Sequence, residues 1–174
     1  MTPKSPHSSA RLVRRTLALA LLGVTPLTFA AMSHDLMPAP AQLRLADGRL
    51  PVTAEFSVAL RGHDDARLRR AIARALRRWE ERTGFTFRRT AEAAYVFATD
   101  VRSASLVIDC AAPSGELPAL GDDESYTLDV RGAQAVLHAP TTLGVLRGLE
   151  TLLQLLHTDA QGWFVPAARI EDRP

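Results

Sequence analysis

Two stretches of the chain carry apolar residues along one helical face only, and this limits the folds open to it. The apolar positions of the first stretch are Leu68, Ile72, Leu76 and Trp79, and those of the second are Leu146, Leu149, Leu153 and Leu156. Steps of three and four residues predict amphipathic helices, each with a single face to bury. A helix of this kind needs another layer of structure to cover its stripe.

Start and stop signals bound both helices. An aspartate at 64–65 can cap the first helix, and Gly84 is its natural end. A threonine at 141–142 caps the second, which is predicted to run to about His157. Gly144 and Gly148 lie inside it, where glycine costs about 1 kcal/mol relative to alanine, so a close approach of this helix to a sheet is expected.

The covering layer is predicted to be a sheet. Strand patterns occur at 42–45, 52–60, 105–110, 126–130 and 135–138, and a last pair at 163–165 and 168–170 is split by Pro166. Arg131-Gly132 turns the chain between the fourth and fifth of these, which form a hairpin. The predicted class is α+β, a largely antiparallel or mixed sheet with both amphipathic helices packed on one face.

The first thirty residues have the pattern of a signal peptide. Basic residues without acids precede an apolar run at 17–30, and small residues at Thr28 and Ala30 predict cleavage after Ala30. The apolar run is shorter than the about 20 residues that a spanning helix needs, so no stable membrane span is expected. An uncleaved anchor is the alternative. The product is expected to be exported, periplasmic or secreted, and to begin with an extended lead-in at 31–41.

Cleavage would change the charge balance. All 19 acidic residues follow Ala30, while four of the 21 basic residues precede it, so the remainder carries 17 basic and 19 acidic residues, a net charge of −2. This balance gives no reason to expect a nucleic-acid partner. The polar face of the first helix is nevertheless rich in arginine, which suits either an anionic polymer or, as we prefer, a solvated surface. These residues are Arg67, Arg69, Arg70, Arg74, Arg77, Arg78 and Arg82.

A search for chemistry yields no catalytic, substrate-binding or metal-binding residue and no cofactor. The five histidines lack the spacing of a helical metal pair. Cys110 lies in an apolar predicted strand, so it is interpreted as a buried, unreactive thiol. The acids at 122–124 precede a strand and are interpreted as solvated, although glycosidases use paired carboxylates. His138 is interpreted as structural, since no carboxylate or nucleophile stands beside it in the sequence.

Three motifs resemble the N-terminal, non-catalytic domain of glycoside hydrolase family 20, the β-N-acetylhexosaminidases. A strand motif, a helix motif and an exit motif occur in the family's order and spacing. The matching positions are Glu124, Tyr126 and Leu128, then Thr141, Gly144, Gly148, Thr151, Gln154 and Leu155, then Pro166, Ile170, Asp172 and Pro174. The resemblance places the domain at 42–170 and the start of a linker at 171–174, with Tyr126 and Leu128 facing the second helix.

The resemblance implies an enzyme of two domains, with catalysis in the second. Such enzymes remove terminal N-acetylglucosamine or N-acetylgalactosamine without a metal, with the substrate's acetamido group as nucleophile. Their adjacent Asp-Glu pair lies in a (β/α)₈ barrel of about 250 residues, expected to begin just after the exit motif. Asp123-Glu124 matches the strand motif instead, so no catalytic residue is carried over.

The chain alone is therefore expected to be an inactive fragment that supports the barrel structurally. The face that meets the barrel would be bare, which predicts an exposed apolar patch and poor solubility. The alternatives are a free-standing exported module that binds an amino-sugar polymer or a partner, and an exported α+β domain of unrelated purpose.

Overall fold

The computed structural model describes Met1 and residues 35–174, so the predicted signal peptide at 1–30 and its cleavage site lie outside the described residues, apart from Met1. Residues 35–174 form seven strands and two helices. In chain order these are β1 (Gln42–Pro51), β2 (Val58–Gly62), α1 (Ala66–Thr83), β3 (Leu106–Ala112), β4 (Tyr126–Arg131), β5 (Gln134–Thr141), α2 (Thr142–Gln154), β6 (His157–Asp159) and β7 (Gly162–Asp172).

The strands form one mixed sheet in the order β1-β7-β4-β5-β3-β2, and β6 pairs with β7 outside this path. The pairs β2–β3 and β3–β5 are parallel, while β5–β4, β4–β7 and β7–β1 are antiparallel. The parallel pair β2–β3 requires a long connection, and α1 supplies it. This arrangement confirms the α+β class and the mixed sheet.

Both helices pack on one face of the sheet, as the two apolar stripes predict. Leu68 and Ile72 of α1 share a buried core with Leu149 of α2 and with Ile108 and Leu128 of the sheet. Leu146 is the exception in the second stripe, since it is only partly buried. The predicted caps are also confirmed: Asp65 accepts a hydrogen bond from the Leu68 amide at 2.7 Å, and Gly84 ends α1 at φ +76°.

The end of α2 differs from the prediction. The helix ends at Gln154 rather than near His157, because His157 instead pairs with Phe164 in the short hairpin of β6 and β7. Gly162 begins β7 at φ +113°, a backbone conformation that favours glycine. The strand β6 has no apolar alternation and was missed by the sequence patterns.

Several strand bounds differ from the prediction, most of all those of β1, β2, β5 and β7. β1 continues through Asp47-Gly48 as a bulge, while the predicted strand at 52–60 begins only at Val58. β7 continues through Pro166, so the predicted break there is wrong. Pro166 lies opposite Arg49 next to the β1 bulge, and the pairing of β7 with β4 and β6 does not reach it. Proline has no amide hydrogen, but at this position no backbone hydrogen bond between strands is lost.

Candidate docking surface

The two glycines of α2 lie directly against the sheet. A Cβ at Gly144 would stand 2.2 Å from the Ser125 carbonyl oxygen, and one at Gly148 would stand 2.2 Å from Cδ1 of Leu137. A side chain at Gly144 would collide with fixed backbone, and one at Gly148 would require the Leu137 side chain to move, so glycine at these positions allows α2 to lie close to β4 and β5. The expected close approach is confirmed, and the motif glycines have a packing role.

Tyr126 links the sheet to α2, as the resemblance implies. Its hydroxyl lies 2.6 Å from Oγ1 of Thr151, and burial raises the pKa of Tyr126 to about 12. Leu128, two residues further along β4, is fully buried in the same core. These two strand-motif residues therefore hold the helix in place.

The two ends of the domain are fastened by side chains from the helix and exit motifs. Gln154 accepts a hydrogen bond from the Met37 amide at 2.8 Å and donates one to the Met37 carbonyl at 3.0 Å. Asp172 accepts from the Ala41 amide at 3.0 Å and from the Arg173 amide at 2.9 Å. The lead-in is thereby attached both to α2 and to the end of β7, two contacts that the sequence patterns did not predict.

The acids at 122–124 are held apart by separate structural partners. Asp123 accepts from the Ser125 hydroxyl at 2.6 Å and from its amide at 2.9 Å, and these bonds lower the pKa of Asp123. Arg147 of α2 donates to Glu124 at 2.6 Å, and this bond lowers the pKa of Glu124. Both carboxylates are thus favoured in their ionised form by structural partners.

His138 has a carboxylate neighbour that the sequence search did not find. The register of β3 against β5 sets Asp109 beside His138, and Oδ2 of Asp109 lies 3.2 Å from Nδ1 of His138. Arg61 of β2 donates to the same oxygen at 2.6 Å, and this bond most strongly lowers the pKa of Asp109. Because the interpretation of His138 considered sequence neighbours only, it overlooked a pair set by strand register. The cluster is a partly exposed ion-pair network, which contributes little stability.

Cys110 is buried, as predicted. Burial raises the pKa of its thiol, which donates a weak bond to the Ala112 carbonyl at 3.3 Å. A raised pKa keeps the group protonated and unreactive. Within residues 35–174 no group of three histidine, cysteine or acidic side chains is placed to hold a metal ion.

One candidate site on the helix side is a groove of about 380 Å³ between the outer sides of α1 and α2. We call it the arginine groove. Its apolar floor includes Ala71, Leu143, Leu146 and Pro118, and its charged lining is Arg67, Arg74, Arg78, Arg147 and Glu150.

The exposed apolar patch expected where a barrel would dock stays a prediction. The arginine groove is lined by arginine side chains and Glu150, together with the apolar residues of its floor. Two large exposed apolar side chains, Leu117 and Leu120, stand in the adjoining loop at 113–125. The sequence shows the polar face of each helix, but it does not show what lies between two helices.

The described residues form a small domain of two helices on a mixed sheet, in which the motif residues Gly144, Gly148 and Tyr126 pack α2 against the sheet. Residues 33–173 match the model of glycosyl hydrolase family 20, domain 2, and the chain belongs to this family. Among residues 35–174 no helix is long and apolar enough to cross a membrane.

Curated relatives agree with this assignment. The chain is 28% identical over 176 residues to β-hexosaminidase subunit β of Mus musculus, a match covering 99% of the chain and 33% of that protein. It is 32% identical over 161 residues to the Felis catus subunit β, covering 90% of the chain and 30% of that protein. The chain thus spans about a third of the length of these relatives.

Solved structures show the same fold. The Flavobacterium johnsoniae chitobiase superposes with a TM-score of 0.71 at 36% identity, over 80% of this chain and 20% of that one. The Streptomyces plicatus N-acetyl-β-hexosaminidase superposes with a TM-score of 0.58 at 24% identity, over 79% of this chain and 26% of that one. At 24% identity, the second comparison supports the fold only.

Proposed function

We propose that the chain is the supporting, non-catalytic domain of an exported β-N-acetylhexosaminidase, whose separate catalytic barrel removes terminal N-acetyl-hexosamine residues. The observation that carries this proposal is the family match across residues 33–173, the whole of the sheet and both helices. The domain would act by packing against the barrel and stabilising it.

The packing roles of the motif residues support this proposal. Gly144, Gly148 and Tyr126 fix α2 on the sheet, while Gln154 and Asp172 fasten the ends of the domain. Asp123 and Glu124 have separate structural partners, Ser125 and Arg147, so this acidic triplet gives no support to a carboxylate couple of the kind that glycosidases use. Catalysis would then rest on the barrel, with no metal or cofactor required of this domain.

The alternative of a free-standing module for amino-sugar polymers finds no support in the aromatic side chains of residues 35–174. Sugar-binding faces usually present exposed aromatic rings. Trp79 and Tyr126 are buried, and Trp163 is partly buried. The ring of Tyr95 is covered by Arg89, whose guanidinium carbon lies 4.4 Å from the ring centre.

The experiment that tests the proposal has two readouts. The chain alone should release no chromophore from a chromogenic N-acetylglucosaminide. When it is mixed with the catalytic barrel of the F. johnsoniae chitobiase prepared without its own N-terminal domain, it should raise the unfolding temperature of that barrel. Ligand-linked stabilisation follows binding to the folded state. Turnover by the chain alone, or an unchanged barrel at saturating concentration, would argue against the proposed function.

Export is the second part of the proposal. Residues 1–30 would act as a signal peptide, leaving a lead-in at 31–41, the domain at 42–170 and the start of a linker at 171–174. When the gene is expressed with its own N-terminus in a bacterial host, the protein recovered outside the cytoplasm should begin at Ala31 by N-terminal sequencing and intact mass. Recovery of uncleaved chain from the cytoplasm would contradict export.

A further inference from the structure

Four large apolar side chains stand exposed among residues 35–174. They are Met37, Leu45, Leu117 and Leu120. Endopeptidases that cut after an apolar residue hold its side chain in a hydrophobic pocket, so the side chain must leave the surface of the substrate. An exposed side chain meets this condition without unfolding of the domain. These four positions are therefore the ones at which such an enzyme can first engage the folded chain.

Three of the four positions are protected. Leu45 lies in β1, which is paired with β7, and a paired strand opens far less readily than a loop. Met37 and Leu117 are each followed by a proline, Pro38 and Pro118. Proline has no amide hydrogen, and its ring crowds the nitrogen that must leave, so most endopeptidases do not cut a bond before proline.

The Leu120–Gly121 bond has neither form of protection. The Leu120 side chain is fully exposed, and the glycine after it adapts readily to another backbone conformation. The bond lies in an exposed turn, in which the Asp122 amide donates to the Ala119 carbonyl at 3.2 Å and the Asp122 carboxylate accepts from the Ala119 amide at 2.8 Å. Opening this turn costs little compared with unfolding the domain.

The loop at 113–125 is fastened near both ends, on either side of this turn. Near its start, Arg67 donates to the Ser114 hydroxyl at 3.1 Å and to the Gly115 carbonyl at 2.5 Å. Near its end, the Thr141 hydroxyl donates to the Asp123 carbonyl at 2.6 Å. The stretch between these contacts can therefore open while β3 and β4 stay in the sheet.

Aromatic side chains, which the same protease pockets accept, are less accessible in residues 35–174. In the segment after α1, Phe85, Tyr95 and Phe97 are partly buried and pack against the core. In β7, Trp163 and Phe164 lie where this strand pairs with β6. A cut at any of these residues requires more of the fold to open than the turn at 119–122 does.

We infer that the Leu120–Gly121 bond is a proteolytic processing site, open to endopeptidases that accept an apolar side chain before the cut. Water adds across the bond: its hydroxyl goes to the Leu120 carbonyl carbon and its hydrogen to the Gly121 nitrogen, as the bond between them breaks. The new carboxylate and ammonium groups lie in an exposed turn, so no charge is buried. This inference concerns the folded domain alone and does not depend on the proposed function.

Cleavage should leave the domain folded, because the two pieces interleave in the sheet. The first piece contains β1, β2, α1 and β3, and the second contains β4, β5, α2, β6 and β7. Since β1 pairs with β7 and β3 pairs with β5, the second piece lies between strands of the first. Buried side chains of α1 and α2 also share one core. The product is therefore a domain of two chains held together without a covalent link.

Limited digestion of the full chain with chymotrypsin, whose pocket accepts leucine, tests the site. Mass spectrometry should place the first cut within residues 35–174 between Leu120 and Gly121. Leu120→Glu should slow this cut about tenfold or more because the pocket is apolar, whereas Leu117→Glu, the matched exposed leucine, should change it less than about twofold. Pro118→Ala should add a second cut after Leu117, because the bond there is no longer protected by proline.

Size-exclusion chromatography and circular dichroism then follow the cleaved protein. Co-elution of both pieces with unchanged circular dichroism supports a stable two-chain domain, and dissociation in native buffer overturns that part of the inference. A first cut elsewhere in residues 35–174, or a wild-type cut after Leu117 as fast as that after Leu120, overturns the assigned site. Survival of the Leu120–Gly121 bond at protease concentrations that digest the urea-unfolded chain overturns it as well.

Discussion

Gly144 and Gly148 set the distance between α2 and the sheet, but the two positions differ in what a side chain would meet. At Gly144 the nearest atom is the backbone oxygen of Ser125, and Cβ of Ala139 follows at 2.9 Å. At Gly148 the nearest atoms are the end groups of the Leu137 side chain. A side-chain end can rotate, whereas a backbone carbonyl fixed next to β4 cannot, so the substitutions should not be equivalent.

Gly144→Ala should therefore destabilise the domain more than Gly148→Ala. Alanine gains about 1 kcal/mol of helix propensity, while overpacking against a fixed backbone costs about 3 kcal/mol. We expect Gly144→Ala to lower the free energy of unfolding by about 2 kcal/mol, measured by urea denaturation. Gly115→Ala is the control, because this loop glycine has its nearest atom at 3.4 Å. Equal stability of Gly144→Ala and Gly115→Ala would show that α2 is free to move away.

At the scale of elements, the irregular segment that follows α1 is held to the helix by one carboxylate. Oε1 of Glu80 accepts from the Phe87 amide at 2.8 Å, and Oε2 accepts from the Tyr95 hydroxyl at 2.7 Å and from Arg89. Burial is the largest single influence and opposes ionisation of Glu80, but the bonds from Tyr95, Phe87 and Arg89 together lower its pKa. The ionised form is thus the one that the fold prefers.

This preference predicts a pH-dependent effect of Glu80→Gln. Because the folded pKa of Glu80 lies below the unfolded value of 4.5, its contribution is fully present above that value and is lost as pH falls through the folded pKa. Wild type should exceed Glu80→Gln in stability by about 1–2 kcal/mol at pH 7, and the difference should shrink towards pH 3. Glu81→Gln, at an exposed position on the same helix, should show no such trend in urea unfolding. A difference that stays constant with pH would contradict the assignment.

The elements that the sequence predicts well are those with local signals. The stripe of α1, its aspartate cap, its glycine stop and the β4–β5 hairpin all depend on residues a few positions apart, and the structure confirms them.

The errors in the predicted strands and contacts have a common cause. Pro166 inside β7 is tolerated because the pairing of β7 with β4 and β6 does not reach it, and Asp109 meets His138 through the register of β3 and β5. Both depend on strand pairing between distant parts of the chain, which no local pattern contains.

For the whole molecule, the same distinction applies to the candidate site. The family resemblance located the motif glycines, Tyr126 and the exit, because those positions repeat a fixed pattern. The arginine groove was not predicted as a surface, although its arginines were identified as a helix face. A groove exists only when α1 and α2 lie side by side, so its walls come from two segments about 70 residues apart in the sequence.

One main core joins both helices to the sheet, and this makes a prediction about unfolding of the whole domain. Most buried apolar residues from Leu36 to Ile170 belong to this cluster, while Ala59, Ala104 and Val107 form a smaller one. Domains of this size with one core usually unfold in one step. Trp79 is buried against Phe56 at 4.8 Å between ring centres, whereas Trp163 is partly buried in β7. Two variants with a single tryptophan test this. The fluorescence of Trp163→Phe reports Trp79, and that of Trp79→Phe reports Trp163. In each variant, the urea midpoint measured by fluorescence should equal the midpoint measured by far-ultraviolet circular dichroism. Separate midpoints would mean that the β6–β7 hairpin unfolds independently of the helix-covered part of the sheet. The contacts of the lead-in with Gln154 and Asp172 would then not suffice to make the whole domain unfold cooperatively.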